Sequence, residues 1–138
     1  MKTHTITLRV RYAETDRMGY VYYGNYATYF EIARVEWLRN LGIRYKDMED
    51  QGIALPVAEY SIKYIKPAYY DQQLTIRTMV SELEGVRIRF QYETLNESEE
   101  LINRAETTLV FINTSTQKPC PPPKELLQAF LSVTDESN

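Results

Sequence analysis

The sequence predicts one α+β domain, a strongly curved antiparallel sheet of about five strands wrapped around a single long helix. Three observations predict it. The segment 26–41 is apolar on most of its sides at helical spacing. Five stretches rich in β-formers flank it, one before and four after, and the later ones are joined by short polar turns. A flat sheet cannot cover a helix that is apolar on most sides, but a curved one can. The 138 residues fit one domain, residues 1–138, large enough to bury a core without staples.

In chain order, Ile6, Leu8, Val10 and Tyr12 alternate with Thr7, Arg9 and Arg11, the period of a strand with one buried face. Residues 13–25 hold Asp16, Gly19 and Gly24 and read as a loop. The helix starts around Tyr23–Tyr26 and runs to Leu41. Tyr26, Phe30, Ala33, Trp37 and Leu41 make one face, widened by Tyr29, Ile32, Val35 and Leu38. Glu31, Arg34, Glu36 and Arg39 form its polar edge, with Glu31 and Arg34 expected to pair at i,i+3. Gly42 sits where a left-handed residue would cap the helix. Residues 44–52 read as one or two helical turns. Residues 54–66 are extended and end at Pro67. Strands follow over residues 73–84, from Val86 through Tyr92, and over residues 101–113, with turns at Glu84-Gly85 and residues 96–100. The prolines of residues 119–123 exclude a helix or inner strand there. Residues 124–133 read as a terminal helix, and about 134–138 as a frayed tail.

Composition narrows the function. Sixteen Lys and Arg against nineteen Asp and Glu leave a net charge of −3, which argues against a broad nucleic-acid or anionic-membrane surface. One cysteine excludes an intrachain disulfide and a multi-cysteine metal cluster. The single histidine, His4, is expected to be a solvated terminal residue. It leaves no His-rich metal site, and a Ser-His-Asp triad would have to run through it. No apolar run approaches the roughly 20 residues of a membrane span, and the start lacks a signal-peptide core, so a cytoplasmic protein is expected. Edge strands on so small a sheet favour a homodimer or a dimer of dimers.

Chemistry concentrates in residues 12–26. Asp16 is a carboxylate in a loop just before a helix. Gly19 and Gly24 permit close approach. A helix N-terminus presents unpaired N–H groups and partial positive charge. Such N–H groups can hold a carbonyl oxygen as it becomes negative, while a carboxylate attacks the carbon or activates water. Read alone, an Asp in this position is more often a cap or turn residue.

The pattern Tyr12-x-x-Thr15-Asp16-x-x-Gly19-x-Val21-Tyr22-Tyr23-x-Asn25-Tyr26, followed by Tyr29-Phe30-Glu31-x-Ala33-Arg34-x-Glu36, resembles the 4-hydroxybenzoyl-CoA thioesterase family near its YbgC-like branch. The resemblance covers about residues 5–130. It implies the hotdog fold and hydrolysis of acyl-CoA thioesters, with CoA as part of the substrate and no further cofactor or metal. It places the catalytic carboxylate on Asp16, as nucleophile or general base, and the carbonyl-binding backbone N–H on Tyr23. Gly19, Tyr22, Gly24, Asn25 and Tyr26 complete the substrate-binding stretch. YbgC-like members usually carry His where this chain has Tyr23, whereas the aromatic-CoA branch resembles this chain in having Tyr.

Lys63, Lys66, Arg87 and Arg89 are candidates for the CoA phosphates. Glu31 is an alternate catalytic carboxylate. Cys120, between prolines, is expected to be inert. The competing functions are an acyl-carrier-protein thioesterase, a hydratase, which usually needs a His before the helix, and a non-catalytic acyl-CoA-binding protein.

Overall fold

The computed structural model describes residues 3–136, with side chains through residue 132. In chain order the elements are β1 (Thr3–Arg9), a 3-10 turn (Tyr12–Glu14), α1 (Asn25–Asn40), α2 (Tyr45–Asp50), β2 (Ile53–Ala54), β3 (Val57–Tyr64), β4 (Gln73–Glu84), β5 (Arg87–Leu95), β6 (Leu101–Val110), β7 (Ile112–Asn113), β8 (Lys118–Pro119) and α3 (Lys124–Glu136). The main sheet has five antiparallel strands in the order β1-β4-β5-β6-β3. A second small sheet, β2-β7-β8, lies beside it.

One face of the main sheet meets α1. Leu74, Ile76 and Val80 of β4 and Ile88, Phe90 and Tyr92 of β5 alternate inward and are buried. Tyr26, Tyr29, Phe30, Ala33, Trp37 and Leu38 of α1 are buried against them. Phe30 stacks on Tyr92 with centroids 4.5 Å apart, and Trp37 meets Phe90 edge-to-face at 5.6 Å. Such ring pairs add about 0.5–1.5 kcal/mol each beyond the burial itself.

Several boundaries differ from those read in the sequence. β1 ends at Arg9, because Val10 turns away to pair with the loop at Gln72 and Asp71. Tyr12 therefore lies outside the strand and is 76% exposed. The arc of α1 is less enclosed than its composition suggests, since Ile32 stays 46% exposed. The extended segment breaks at Leu55-Pro56, where proline has no N–H to continue a ladder, and the break gives β2 and β3 to different sheets. The last strand splits likewise at Phe111 into β6 and β7. Pro119 takes an edge position in β8, consistent with the exclusion of an inner strand there. α3 runs past Val133 to Glu136; of the expected frayed tail, residues 137–138 lie outside the described residues. His4 is not a free terminal side chain: it sits in β1 opposite Thr78, and its Nδ1 is buried.

Candidate active site

The loop between β1 and α1 is pinned at each turn. Glu14 N–H donates to the Arg11 carbonyl at 2.9 Å, and the Thr15 hydroxyl donates to the Tyr12 carbonyl at 2.8 Å. Thr15 and Val21 then bridge as in a short hairpin, and Val21 N–H donates to the Ala68 carbonyl at 2.8 Å. Gly19 closes the tip with φ +80°, a backbone conformation that costs a side-chain-bearing residue energy. Its N–H donates to the Asp16 carbonyl at 2.9 Å.

Asp16 stands in this tip, exposed to solvent. Its Oδ1 accepts the Met18 N–H at 2.9 Å and the Tyr20 N–H at 3.3 Å. These bonds fix the carboxyl plane while Oδ2 carries no hydrogen bond among the described residues. At the start of α1, Asn25 N–H donates to the Tyr22 carbonyl and Tyr26 N–H to the Tyr23 carbonyl. The N–H groups of Tyr23 and Gly24 donate to no group among the described residues. They are the unspent donors of a helix N-terminus.

Asp16 and Tyr23 line one cleft of about 350 Å³. Its other walls are Tyr20, Val21 and Tyr26 from the loop and helix, and Tyr64, Ile65, Lys66 and Pro67 from the end of β3. The Tyr26 and Tyr64 rings meet at 5.9 Å. Burial, with the neighbouring Tyr64 and Tyr60 hydroxyls, pushes the Tyr26 phenol well above its ordinary value, so it stays protonated. Lys66 is held at the rim by Glu100, whose carboxyl is drawn below the usual range by Lys66 and Asn96. A second cleft, lined by Tyr12, Arg17, Gly19 and Tyr70, opens on the other side of Asp16.

The remaining sequence candidates divide. Tyr22 lies over Gly24, where a Cβ would come within 2.8 Å of its ring, and beside Tyr23 at 4.6 Å. Asn25 does not line the cleft; its Nδ2 donates to the Glu14 carbonyl at 2.8 Å. Lys63, Arg87 and Arg89 do not form one patch. Lys63 lines a separate cleft on the outer face of the sheet, level with Arg104 and Glu93. Arg87 lies six residues before Glu93 on β5, roughly 20 Å at strand rise. Arg89 is held by Glu82 at 3.3 Å and Glu106 at 3.6 Å. The expected Glu31–Arg34 pair does not form. Glu36 pairs with Arg39 instead, and Arg34 turns to the Tyr92 hydroxyl. Cys120 is half-buried, its N–H bonded to the Phe111 carbonyl.

Sequence reasoning missed two parts of the site. Tyr64, Ile65 and Pro67 come from distant sequence, and the Tyr20–Tyr69 bridge with the Val21 N–H to the Ala68 carbonyl joins that turn to the loop. Glu14 was passed over beside Asp16. Its Oε1 accepts the Arg11 N–H at 2.8 Å and the Tyr29 hydroxyl at 2.9 Å, and its Oε2 takes the Arg11 guanidinium at 2.9 Å. An acidic residue two before Asp16, with a tyrosine fifteen later on the buried helix face, was the available signal.

One cleft thus brings together a loop carboxylate and the residue at the start of a helix whose N–H groups are unpaired, a combination suited to acyl transfer. Residues 10–130 match the model of the thioesterase-like superfamily. The chain is 34% identical to a putative acyl-CoA thioesterase, YneP of Bacillus subtilis, over 81% of each chain. It is 30% identical to the acyl-CoA thioester hydrolase YbgC of Escherichia coli O6:H1, over 89% of this chain and 92% of that one. A DHNA-CoA thioesterase from Staphylococcus aureus superposes with a TM-score of 0.94 at 36% identity, covering 100% of this chain and 95% of that one. The chain belongs to the thioesterase-like superfamily, among its hotdog-fold acyl-CoA thioesterases.

Proposed function

We propose that this chain hydrolyses an aromatic acyl-CoA to the free acid and CoA, with Asp16 as the catalytic carboxylate and the Tyr23 N–H as the carbonyl-binding donor. One observation carries the reading: Asp16 and Tyr23 line the same tyrosine-walled cleft beside the N-terminus of α1. The thioester carbonyl oxygen accepts from Tyr23 N–H, and the helix dipole favours its developing negative charge. Asp16 then acts in one of two ways. As nucleophile, an oxygen bonds to the carbonyl carbon, the C–S bond breaks and CoA leaves as thiolate. Water then cleaves the anhydride and restores the carboxylate. As general base, Asp16 takes a proton from the water that attacks. Single turnover in ¹⁸O-water separates the two, because cleavage of the anhydride at the Asp16 carbonyl leaves label in its carboxyl.

Four tyrosines in the cleft support an aromatic acyl group. So does the likeness to the Staphylococcus aureus DHNA-CoA thioesterase and, at 27% identity and TM-score 0.89, to a 1,4-dihydroxy-2-naphthoyl-CoA thioesterase from Synechocystis. The CoA phosphates are assigned to the Lys66 rim and the Arg17 side of Asp16, in place of a patch formed by Lys63, Arg87 and Arg89. The alternative, an acyl group on a carrier protein, draws on 33% identity over 88 residues to an acyl-acyl carrier protein thioesterase of Arabidopsis thaliana.

Thiol release from 1,4-dihydroxy-2-naphthoyl-, benzoyl-, decanoyl- and acetyl-CoA, and from a decanoyl carrier protein, tests the assignment. The expected result is fastest turnover of the aromatic CoA esters, with kcat lowered at least ~100-fold in Asp16→Ala. Turnover of the carrier-protein substrate alone would reassign the partner. Full activity in Asp16→Ala with none in Glu31→Ala would move the site onto α1.

A further inference from the structure

Glu14 is more deeply held than the carboxylate it precedes. Its side chain is 12% exposed, and it ties together the segment after β1, the loop and α1. The carboxylate takes the Arg11 N–H and guanidinium at the end of the first strand segment. It takes the hydroxyl of Tyr29, one turn into α1 and 2% exposed. Its carbonyl oxygen accepts both the Tyr22 N–H at 2.8 Å and the Asn25 side-chain amide at 2.8 Å. Asp16 follows two residues later, and Tyr23 follows Tyr22 directly. The two halves of the acyl-transfer site are therefore both anchored to one residue that touches neither cleft.

We propose that Glu14 is a positioning residue that sets the separation between the Asp16 carboxylate and the Tyr23 N–H. This rests on the functional reading above. A misplacement of an ångström at a reacting centre costs on the order of 10²-fold in rate, and the Glu14 side chain joins the loop to the buried face of α1 through Tyr29. The Tyr29 hydroxyl and the Asn25 amide act through Glu14, which gives α1 two grips on the loop.

Three variants test it, each on the acyl-CoA of the panel that the wild-type protein turns over fastest. Glu14→Ala is expected to lower kcat ~10–100-fold while KM moves less than threefold. Glu14→Gln retains the acceptor for Tyr29 and the Arg11 N–H and is expected to recover most of that loss. Tyr29→Phe deletes one hydroxyl in a folded core and is expected to lower kcat several-fold. In an Asp16→Asn background, Glu14→Ala should cost less than threefold more, because the residue it positions is already gone. Amide exchange supplies a reading without substrate. The Met18 and Tyr20 N–H groups, donors to Asp16, should lose protection in Glu14→Ala. Unchanged kcat and unchanged exchange in Glu14→Ala and Tyr29→Phe overturn the proposal, as does an equal fold-loss in the Asp16→Asn background. If Asp16→Ala is itself fully active, the functional reading fails instead.

Discussion

At the scale of single residues, Glu14 carries a pH dependence whose sign follows from its surroundings. Burial alone would raise its carboxyl, but the Arg11 N–H and guanidinium and the Tyr29 hydroxyl outweigh it, and the folded value lies below the ordinary 4.5. As pH falls, the unfolded chain takes up its proton first. The stability Glu14 contributes is complete above 4.5 and is lost as pH drops through its lowered folded value. Urea midpoints measured from neutral pH down through this range should fall less steeply for Glu14→Gln than for the wild-type protein. Parallel curves would mean that the charge on Glu14 does not matter to folding. Gly19 gives a second prediction. No atom lies within 4 Å of a Cβ built there, so Gly19→Ala meets no clash, but its φ is +80°. Roughly 1 kcal/mol of backbone strain is expected, read as a lower melting temperature. A fall in kcat should come with it, since the same turn aims Asp16.

At the scale of elements, the inner face of the sheet holds buried polar groups without hydrogen-bond partners among the described residues. Thr94 of β5 stands opposite Asn103 of β6, and Asn103 opposite Tyr64 of β3. Thr94 and Asn103 are fully buried, and neither the Thr94 hydroxyl nor the Asn103 amide has a hydrogen-bond partner among the described residues. An unsatisfied buried hydroxyl costs about 1–3 kcal/mol, and a methyl of the same shape removes that cost. Thr94→Val is therefore expected to raise the melting temperature by about 4 °C per kcal/mol recovered. A drop would mean that water or substrate satisfies the group. This row also marks what the sequence hides. Helix α1 was legible because Tyr26, Phe30, Ala33 and Trp37 repeat at 3.6, and β5 because Val86, Ile88, Phe90 and Tyr92 alternate with polar residues. The breaks at Pro56 and Phe111 were not, because each strand changes sheet partner without losing its extended pattern. In the candidate site, Asp16 stood out as a carboxylate before a helix, and Tyr23 only through the family resemblance. Tyr64 and Lys66 reach the cleft through pairings distant in sequence, β3 with β6 and Tyr69 with Tyr20, and Lys63, Arg87 and Arg89 lie apart from one another because alternation fixes a face but not a position along it.

At the scale of the whole molecule, β3 is an edge of the main sheet, paired to β6 on one side only. It is eight residues long, and Val57, Tyr60 and Tyr64 are exposed along it at 44%, 41% and 49%. Burial pushes the Tyr60 phenol up to about 12 even in the single chain. An eight-residue edge with exposed apolar side chains beside Glu59 and Lys63 is a template for pairing with another chain. Antiparallel addition of a second copy at β3 satisfies the free backbone groups of both. It also brings the partner's edge to the mouth of the cleft, because Tyr64, Ile65 and Lys66 continue directly from β3. The protein is therefore expected to sediment at twice its 16.2 kDa mass or a higher even multiple. Lysines introduced together at Val57 and Ala58, both exposed, put like charges on the pairing edge and should shift the protein to monomer at low concentration. Activity should fall with the dimer fraction, not simply with the substitution, and recover as protein concentration is raised. A wild-type protein that sediments as a monomer while hydrolysing acyl-CoA at full rate would show that the cleft needs no second copy.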